Sequence, residues 1–168
     1  KNNSEAIIPF YNITEIIESI VRRQQKLLEK DKFEITFKYT EKVEIMADGQ
    51  VNLSLSGKVR EDTIWLPRFG YEFELPANNS AFTYFGRGPM ENYCDMHNCA
   101  LIGLYTSDAD REYVNYVRPQ EHGNHTEVKM LRIGKLEFTA EKEMEIQVSE
   151  YTAHDLYKAT HTDELKKD

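Results

Sequence analysis

From Phe33 onward the apolar residues of this chain recur at every second position, and that period admits little besides half-buried strands. Phe33, Ile35, Phe37 and Tyr39 alternate with Glu34, Thr36 and Lys38, and Val51, Leu53 and Leu55 alternate with Asn52, Ser54 and Ser56. Ala47-Asp48-Gly49-Gln50 places a turn between Val43–Met46 and the Val51 strand, because Asp-Gly readily accepts positive φ, so the pair reads as an antiparallel hairpin. Further strands are expected at Trp65–Leu66, Tyr71–Leu75, Ala81–Phe85, Leu101–Tyr105, Tyr113–Val117, Glu127–Ile133, Leu136–Thr139 and Met144–Ser149. Short strands punctuated this often describe a sandwich or a barrel, and the ten Tyr and eight Phe agree with a sheet protein.

Two segments depart from that period. Between Thr14 and Glu29, Ile16, Ile17, Ile20, Val21, Leu27 and Leu28 fall at helical spacings among Glu15, Glu18, Arg22, Arg23 and Lys26, which predicts an amphipathic helix. Near the end, Thr152-Ala153-His154-Asp155 has the form of a capping box and opens a short helix through Leu156, Tyr157 and Ala159. At 168 residues the chain fits one domain, 1–168, with a core that needs neither disulfide nor metal. A formal charge of −8, without a Lys/Arg stripe, argues against a nucleic-acid partner. Cys94 and Cys99 match neither a redox motif nor a zinc knuckle and read as free thiols packed as small hydrophobes. No run approaches about eighteen apolar residues, so a membrane partner is not expected. Lys1-Asn2-Asn3-Ser4 lacks a secretion signal and an initiator Met, so the chain is expected to be an excised piece, with the cytoplasm favoured over periplasm or secretion.

Two turn-rich segments carry the chemistry. In Phe85-Gly86-Arg87-Gly88-Pro89-Met90-Glu91-Asn92-Tyr93 the glycines let the main chain bend and approach its neighbours, while Pro89 ends the pairing of the preceding strand. Arg87 is thereby set on a rigid bend, where its fork of donors suits a carboxylate from Glu91, Asp95 or Glu121. The second segment, Pro119-Gln120-Glu121-His122-Gly123-Asn124-His125-Thr126, adds amides that commonly serve turns. One reading is an architectural network of Arg87, Glu91, Asn92, Asp95, Gln120, Glu121 and Asn124; the other is a site for sugar hydroxyls or an anion. Glu91 and Glu121 have the chemistry of a glycosidase pair. His97, His122 and His125 beside Asp95 and Glu121 could be read as metal ligands, although the His-x-x-His spacing crosses a glycine-containing loop. No nucleophile elbow, phosphate loop or dinucleotide fingerprint is present. Trp65 and the tyrosines serve either as core or as platforms for a sugar ring.

Leu66-Pro67-Arg68-Phe69-Gly70, Tyr84-Phe85-Gly86-Arg87-Gly88-Pro89 with Glu91-Asn92-Tyr93 and Asp95, Leu101-Ile102-Gly103-Leu104-Tyr105, and Tyr116-Val117-Arg118-Pro119-Gln120-Glu121 with Gly123-Asn124 and Thr126-Glu127-Val128 follow one another in a familiar order. Together they resemble the small-chain, C-terminal domain of lacZ-type β-galactosidases of glycoside hydrolase family 2. The resemblance is dense from Leu66 to Leu131 and resumes at Ser149–Thr152 and Ala159–His161. Met96 stands where the family usually has a basic residue, Met90 where it commonly has His, and the segment Leu131–Phe138 is short, which suggests a trimmed hairpin. The 14–29 stretch is not a family hallmark.

The resemblance implies an all-β fold: a large antiparallel β-sandwich of the supersandwich, galactose-mutarotase-like kind with one or two short helices. It also implies that the acid/base and nucleophile glutamates and the Mg²⁺ ligands lie on an upstream barrel of a retaining enzyme. The chain itself is then expected to hold no catalytic, cofactor or metal residue and to support the active site. Its partners would be the remaining domains of the parent, a galactoside through that parent, and further copies in a homo-oligomer. Two rival functions stand beside it: a mutarotase-like epimerase using a His and a Glu of the loops, and a carbohydrate-binding module presenting Tyr84, Tyr93 or Tyr116.

Overall fold

A computed structural model describes residues 38–58, 69–76 and 80–165. The expected helix at 14–29, the Phe33–Phe37 part of the first strand and the Trp65–Leu66 strand lie outside the described residues. The chain divides into two compact units, Lys1–Glu74 and Leu75–Asp168.

In the first unit, β1 (Lys38–Ile45) pairs antiparallel with β2 (Val51–Lys58), from Lys38 opposite Lys58 to Ile45 opposite Val51. The turn forms as its residues predict. Gly49 takes φ +89°, the Asp48 carboxylate accepts from the Gln50 N–H at 3.0 Å, and Met46 N–H donates to the Gln50 carbonyl at 2.8 Å. Tyr71–Leu75 has the alternation of a strand, with Tyr71, Phe73 and Leu75 half-buried, yet it joins no described ladder.

The second unit contains β3 (Ala81–Gly88), β4 (Leu101–Asp108), β5 (Asn124–Ile133) and β6 (Leu136–Gln147), in the sheet order β4-β3-β5-β6 with every pair antiparallel. Its core is one face of that sheet. Phe82, Tyr84, Val128, Leu131, Ile133 and Ile146 are buried there, with Leu75, Tyr105, Leu136, Phe138, Met144 and Val148 packed around them. Each such side chain contributes about 1.5–3 kcal/mol on leaving water, which is why the outward residues of the same strands can be charged.

β5 and β6 form a tight hairpin through Gly134-Lys135, with Ile133 opposite Leu136 and Gly134 at φ +57°. The two strands expected at Leu136–Thr139 and Met144–Ser149 belong to one element, β6, although the pairing with β5 jumps from Thr139 to Met144 across the charged Ala140–Glu143. Pairing shifts register between His125 and Val128 and again between Val128 and Met130, a bulged stretch in which Glu127 takes φ +52°. Tyr113–Val117 is not a strand among the described residues. The Tyr116 N–H turns back to the Val114 carbonyl at 2.9 Å, and Tyr113 packs edge-on against His122 and Tyr151 at centroid distances of 4.9 and 5.6 Å.

The capping box forms as expected: the Thr152 hydroxyl accepts from the Asp155 N–H at 3.2 Å, and the Asp155 carboxylate takes the Thr152 N–H and O–H. The short α1 (Ala153–Lys158) that follows buries Leu156, and a 3₁₀ turn covers Thr162–Glu164. The described chain is thus all-β, with antiparallel sheets, one short α-helix and one 3₁₀ turn, in keeping with the expected sandwich class. No described helix is long and apolar enough to cross a membrane.

The main chains of β3 and β5 approach closely where Gly86 lies against Val128, beside the bulge. A Cβ on Gly86 would stand 2.6 Å from Val128 Cγ2 and 2.9 Å from Val128 Cα, and main chain cannot yield as a side-chain tip can. Gly86→Ala should therefore destabilise the chain by about 1–3 kcal/mol, read as a lower urea midpoint with unchanged far-ultraviolet circular dichroism. A midpoint equal to that of the unsubstituted chain would show that β3 and β5 are farther apart.

Candidate functional site

β3 ends in Arg87-Gly88, the Gly88–Pro89 peptide is cis, and the chain leaves the sheet beside the start of β5, so the two turn-rich segments meet. Asn92 and Asn124 join them through main chain and side chain together. The Asn92 N–H donates to the Asn124 carbonyl at 2.7 Å, and the Asn124 amide donates to the Asn92 carbonyl at 2.8 Å and to Glu145 at 3.1 Å.

The Asn92 side chain has no exposure to water, and all of its hydrogen-bonding capacity is used. Its NH₂ donates to the Arg87 and Met90 carbonyls, both at 3.0 Å, and its oxygen accepts from the Thr126 N–H at 2.9 Å and the Thr126 hydroxyl at 2.6 Å. An aspartate would keep the acceptor, lose both donors and bury a charge, so this position requires an amide.

Glu91 is the second fastener. One carboxylate oxygen accepts from the Gly123 N–H at 2.9 Å and the Tyr93 hydroxyl at 3.0 Å, and the other accepts from the Tyr116 hydroxyl. Gly123 reaches this contact at φ +68°, where a Cβ would come within 3.0 Å of the Glu112 main-chain oxygen. The bond to Glu91 raises the Tyr116 phenol to about 12, with burial and the carboxylate's charge adding to it. Tyr93 is raised as well, first by burial and then by the Glu91 charge.

Arg87 corrects the expected pairing. Its carboxylate partner is Glu127, on the left-handed residue of the bulge, and not Glu91, Asp95 or Glu121. A further guanidinium N–H donates to the Ala100 carbonyl at 2.8 Å, tying the 93–100 loop to β3. The hydrogen bond from Arg87 holds Glu127 below the usual carboxylate range against the opposing effect of burial, and the charges of Arg87 and His97 assist.

A third group of contacts lies under the same loops and includes a residue that sequence reasoning missed. Glu112, almost fully buried, faces His125 Nε2 at 2.9 Å, while His125 Nδ1 lies 3.0 Å from the Tyr84 hydroxyl. With Nε2–H directed at the carboxylate, Nδ1 is left to accept from Tyr84. Burial and then the Glu112 charge raise the Tyr84 phenol. Nothing around Asp110-Arg111-Glu112 marks that glutamate as buried; only its placement on the turn after β4, opposite His125, does so.

The remaining expected residues stand outside this core. Asp95 is exposed in the turn bridged by Tyr93 and Met96, and Cys94 and Cys99 of the same loop are free but exposed and not packed as small hydrophobes, because the loop lies on the surface. Gln120 is exposed, and its carbonyl accepts from His122 Nδ1 at 2.9 Å. Glu121 is exposed, and its carbonyl lies 3.5 Å from the Tyr93 hydroxyl. Tyr84 is fully buried against His125, at a centroid distance of 4.3 Å, and so is core and not a platform for a sugar. His122 and His125 are buried in protein hydrogen bonds, and among the described residues no cluster of three or more His, Cys, Asp and Glu could hold a metal ion. A shallow open cavity of about 340 Å³ is lined by Cys94, His97, Thr126, Glu127, Glu143, Met144 and Glu145, and so borders the network at Thr126, Glu127 and Glu145.

The phenol of Tyr116 gives the network a pH signature. In the unfolded chain it ionises near 10.0, and in the folded chain near about 12. Between these values the folded chain keeps a proton that the unfolded chain has released, so its contribution to stability is complete below 10.0 and is lost as pH rises toward about 12. Urea midpoints taken across this range should fall with pH, and Tyr116→Phe should flatten part of the fall. An identical slope in the variant would detach Tyr116 from Glu91.

The family described as beta galactosidase small chain matches residues 5–168. The β-galactosidase of Actinobacillus pleuropneumoniae is 32% identical over 123 residues, which are 73% of this chain and 12% of that protein. That of Vibrio cholerae is 34% identical over 122 residues, again 73% and 12%. That of Kluyveromyces lactis is 37% identical over 143 residues, 80% of this chain and 13% of the relative. The chain therefore spans about an eighth of the length of the relatives it matches. It belongs to the β-galactosidase small-chain family.

Proposed function

We propose that the chain is a noncatalytic structural domain of a longer retaining β-galactosidase, which hydrolyses terminal β-galactosides such as lactose. In that enzyme the bond-breaking carboxylates and the Mg²⁺ site belong to a barrel elsewhere in the polypeptide, and this domain braces it. One observation carries the reading. The acidic and amide side chains at the centre of the family motifs, Glu91 and Asn92, direct their polar atoms at other groups of the same two loops, so that a sugar would have to break the fold to reach them.

The same contacts weigh on the alternatives. A mutarotase-like epimerase needs a His and a Glu turned toward a pocket, whereas His122 and His125 are engaged and buried, and the glutamate beside His97 at the open cavity, Glu127, is held by Arg87. A carbohydrate module needs free aromatic faces, whereas the Tyr93 and Tyr116 hydroxyls are held by Glu91 and Tyr84 is core. In the parent, two carboxylates would act as acid/base and nucleophile through a glycosyl-enzyme intermediate, and none of the network described above is assigned either role.

Incubating the purified chain with a chromogenic β-galactoside should give no release above a buffer blank. Turnover that disappears in Glu91→Gln would reverse the assignment and make Glu91 a working acid.

A further inference from the structure

Sulfur is concentrated in one short stretch of this chain. Of its five Met and two Cys, four fall in the ten residues 90–99: Met90, Cys94, Met96 and Cys99. Two of these meet, for the Cys99 thiol donates to the Met90 thioether with the sulfurs 3.8 Å apart. Both side chains are exposed, whereas the main chain that carries them is anchored. The Ala100 N–H donates to the His97 carbonyl at 3.0 Å and closes a turn around Cys99. The buried Ala100 gives its own carbonyl to Arg87 at 2.8 Å, and the Met90 carbonyl takes the Asn92 amide at 3.0 Å. The fasteners described above thus set a thiol and a thioether side by side at the surface, and a donor pair whose supports are fixed loses little freedom on taking up an ion.

We propose that Cys99 and Met90 form a binding site for a soft monovalent metal ion of the Cu(I) class. Two bonds of about 2.3 Å, the length of a metal–thiolate bond, reach sulfurs 3.8 Å apart at an angle of about 110°, close to tetrahedral, so an ion can span the pair as it stands. A thiolate with a thioether is a donor set that soft ions select. Harder ions take carboxylates and imidazoles, and among the described residues no three His, Cys, Asp and Glu come together to supply them. As the ion binds, the Cys99 S–H bond breaks, its proton passes to water and the sulfur–metal bond forms, with no change of oxidation state. The thiolate cancels the single charge of the ion, and a chain of formal charge −8 favours the approach of a cation. Because both side chains are exposed, any further donor comes from solution, which makes the ion exchangeable. Cys94 provides an internal comparison, since it is exposed in the same loop and makes no hydrogen bond to a second sulfur among the described residues. The inference rests on these side chains alone and holds or fails apart from the β-galactosidase reading.

Under argon and with ascorbate present, the full chain should withdraw one equivalent of Cu(I) from its complex with the chromophoric chelator ferrozine. Cys99→Ser should abolish the withdrawal, and Cys94→Ser should leave it unchanged. Met90→Leu should weaken it at least about tenfold, the least that loss of even an outer partner costs a metal site. All three positions are exposed or adjoin an exposed loop, and circular dichroism should be the same in each variant. In the chain labelled with carbon-13 at its methionine methyls, the Met90 signal alone should move as Cu(I) is added, and Cys99→Ser should hold it still. Uptake of two equal ions, one on each thiol, would overturn the proposal, as would an affinity indifferent to Met90→Leu or a Met90 methyl signal that does not move.

Discussion

Asn92 is a neutral amide shut away from water, and the join between the two turn-rich segments depends on it. A buried amide that loses its partners costs about 1–3 kcal/mol for each group left unmade. Here four groups rely on it at once: the Arg87 and Met90 carbonyls, and the Thr126 N–H and hydroxyl. The bend after β3 and the first residues of β5 are irregular main chain, which would otherwise have to find water. Asn92 supplies that main chain with partners and so permits the sheet to bury its face beneath the loops.

The other fasteners extend this one outward. Glu91 takes the Gly123 N–H and two phenols, Arg87 bridges Glu127 and the Ala100 carbonyl, and His125 links Tyr84 to Glu112. Glu127 holds a left-handed conformation that costs a non-glycine residue about 1–2 kcal/mol, and the bulge around it turns its carboxylate toward Arg87. Architecture of this kind leaves little polar capacity for a substrate. It also explains why motif residues rich in acids and amides need not mark an active site, and it fits a family whose members span far more chain than this.

Much of this was legible before any coordinates. The period of two marked β2, apolar and aromatic runs between turn signals marked β3, β4 and β5, Asp48-Gly49 marked the first turn, and Thr152-x-x-Asp155 marked the start of α1. The two loops were legible as a network, and Glu91, Asn92 and Asn124 do occupy its centre. The choice of partner was not legible. Arg87 has four carboxylates within reach along the sequence, and only the register of β3 on β5, with its bulge, selects Glu127. Glu112 and His125 are thirteen residues apart on different elements and meet because the turn after β4 folds back over the sheet. Tyr71–Leu75 alternates as strands do and Tyr113–Val117 is rich in strand-forming residues, yet neither belongs to a ladder among the described residues, and composition or pattern alone does not supply one.

The most direct measurement of whether the motif residues are fasteners is residue-resolved amide hydrogen exchange on the intact chain. Loop amides open to solvent exchange quickly, whereas amides locked into the cooperative core exchange only through its unfolding. The account predicts that the Asn92, Gly123 and Thr126 amides, though at the ends of loops, are protected as strongly as Leu131 in the middle of β5. Exchange of those three amides at the rate of exposed loops, with Leu131 still protected, would contradict it.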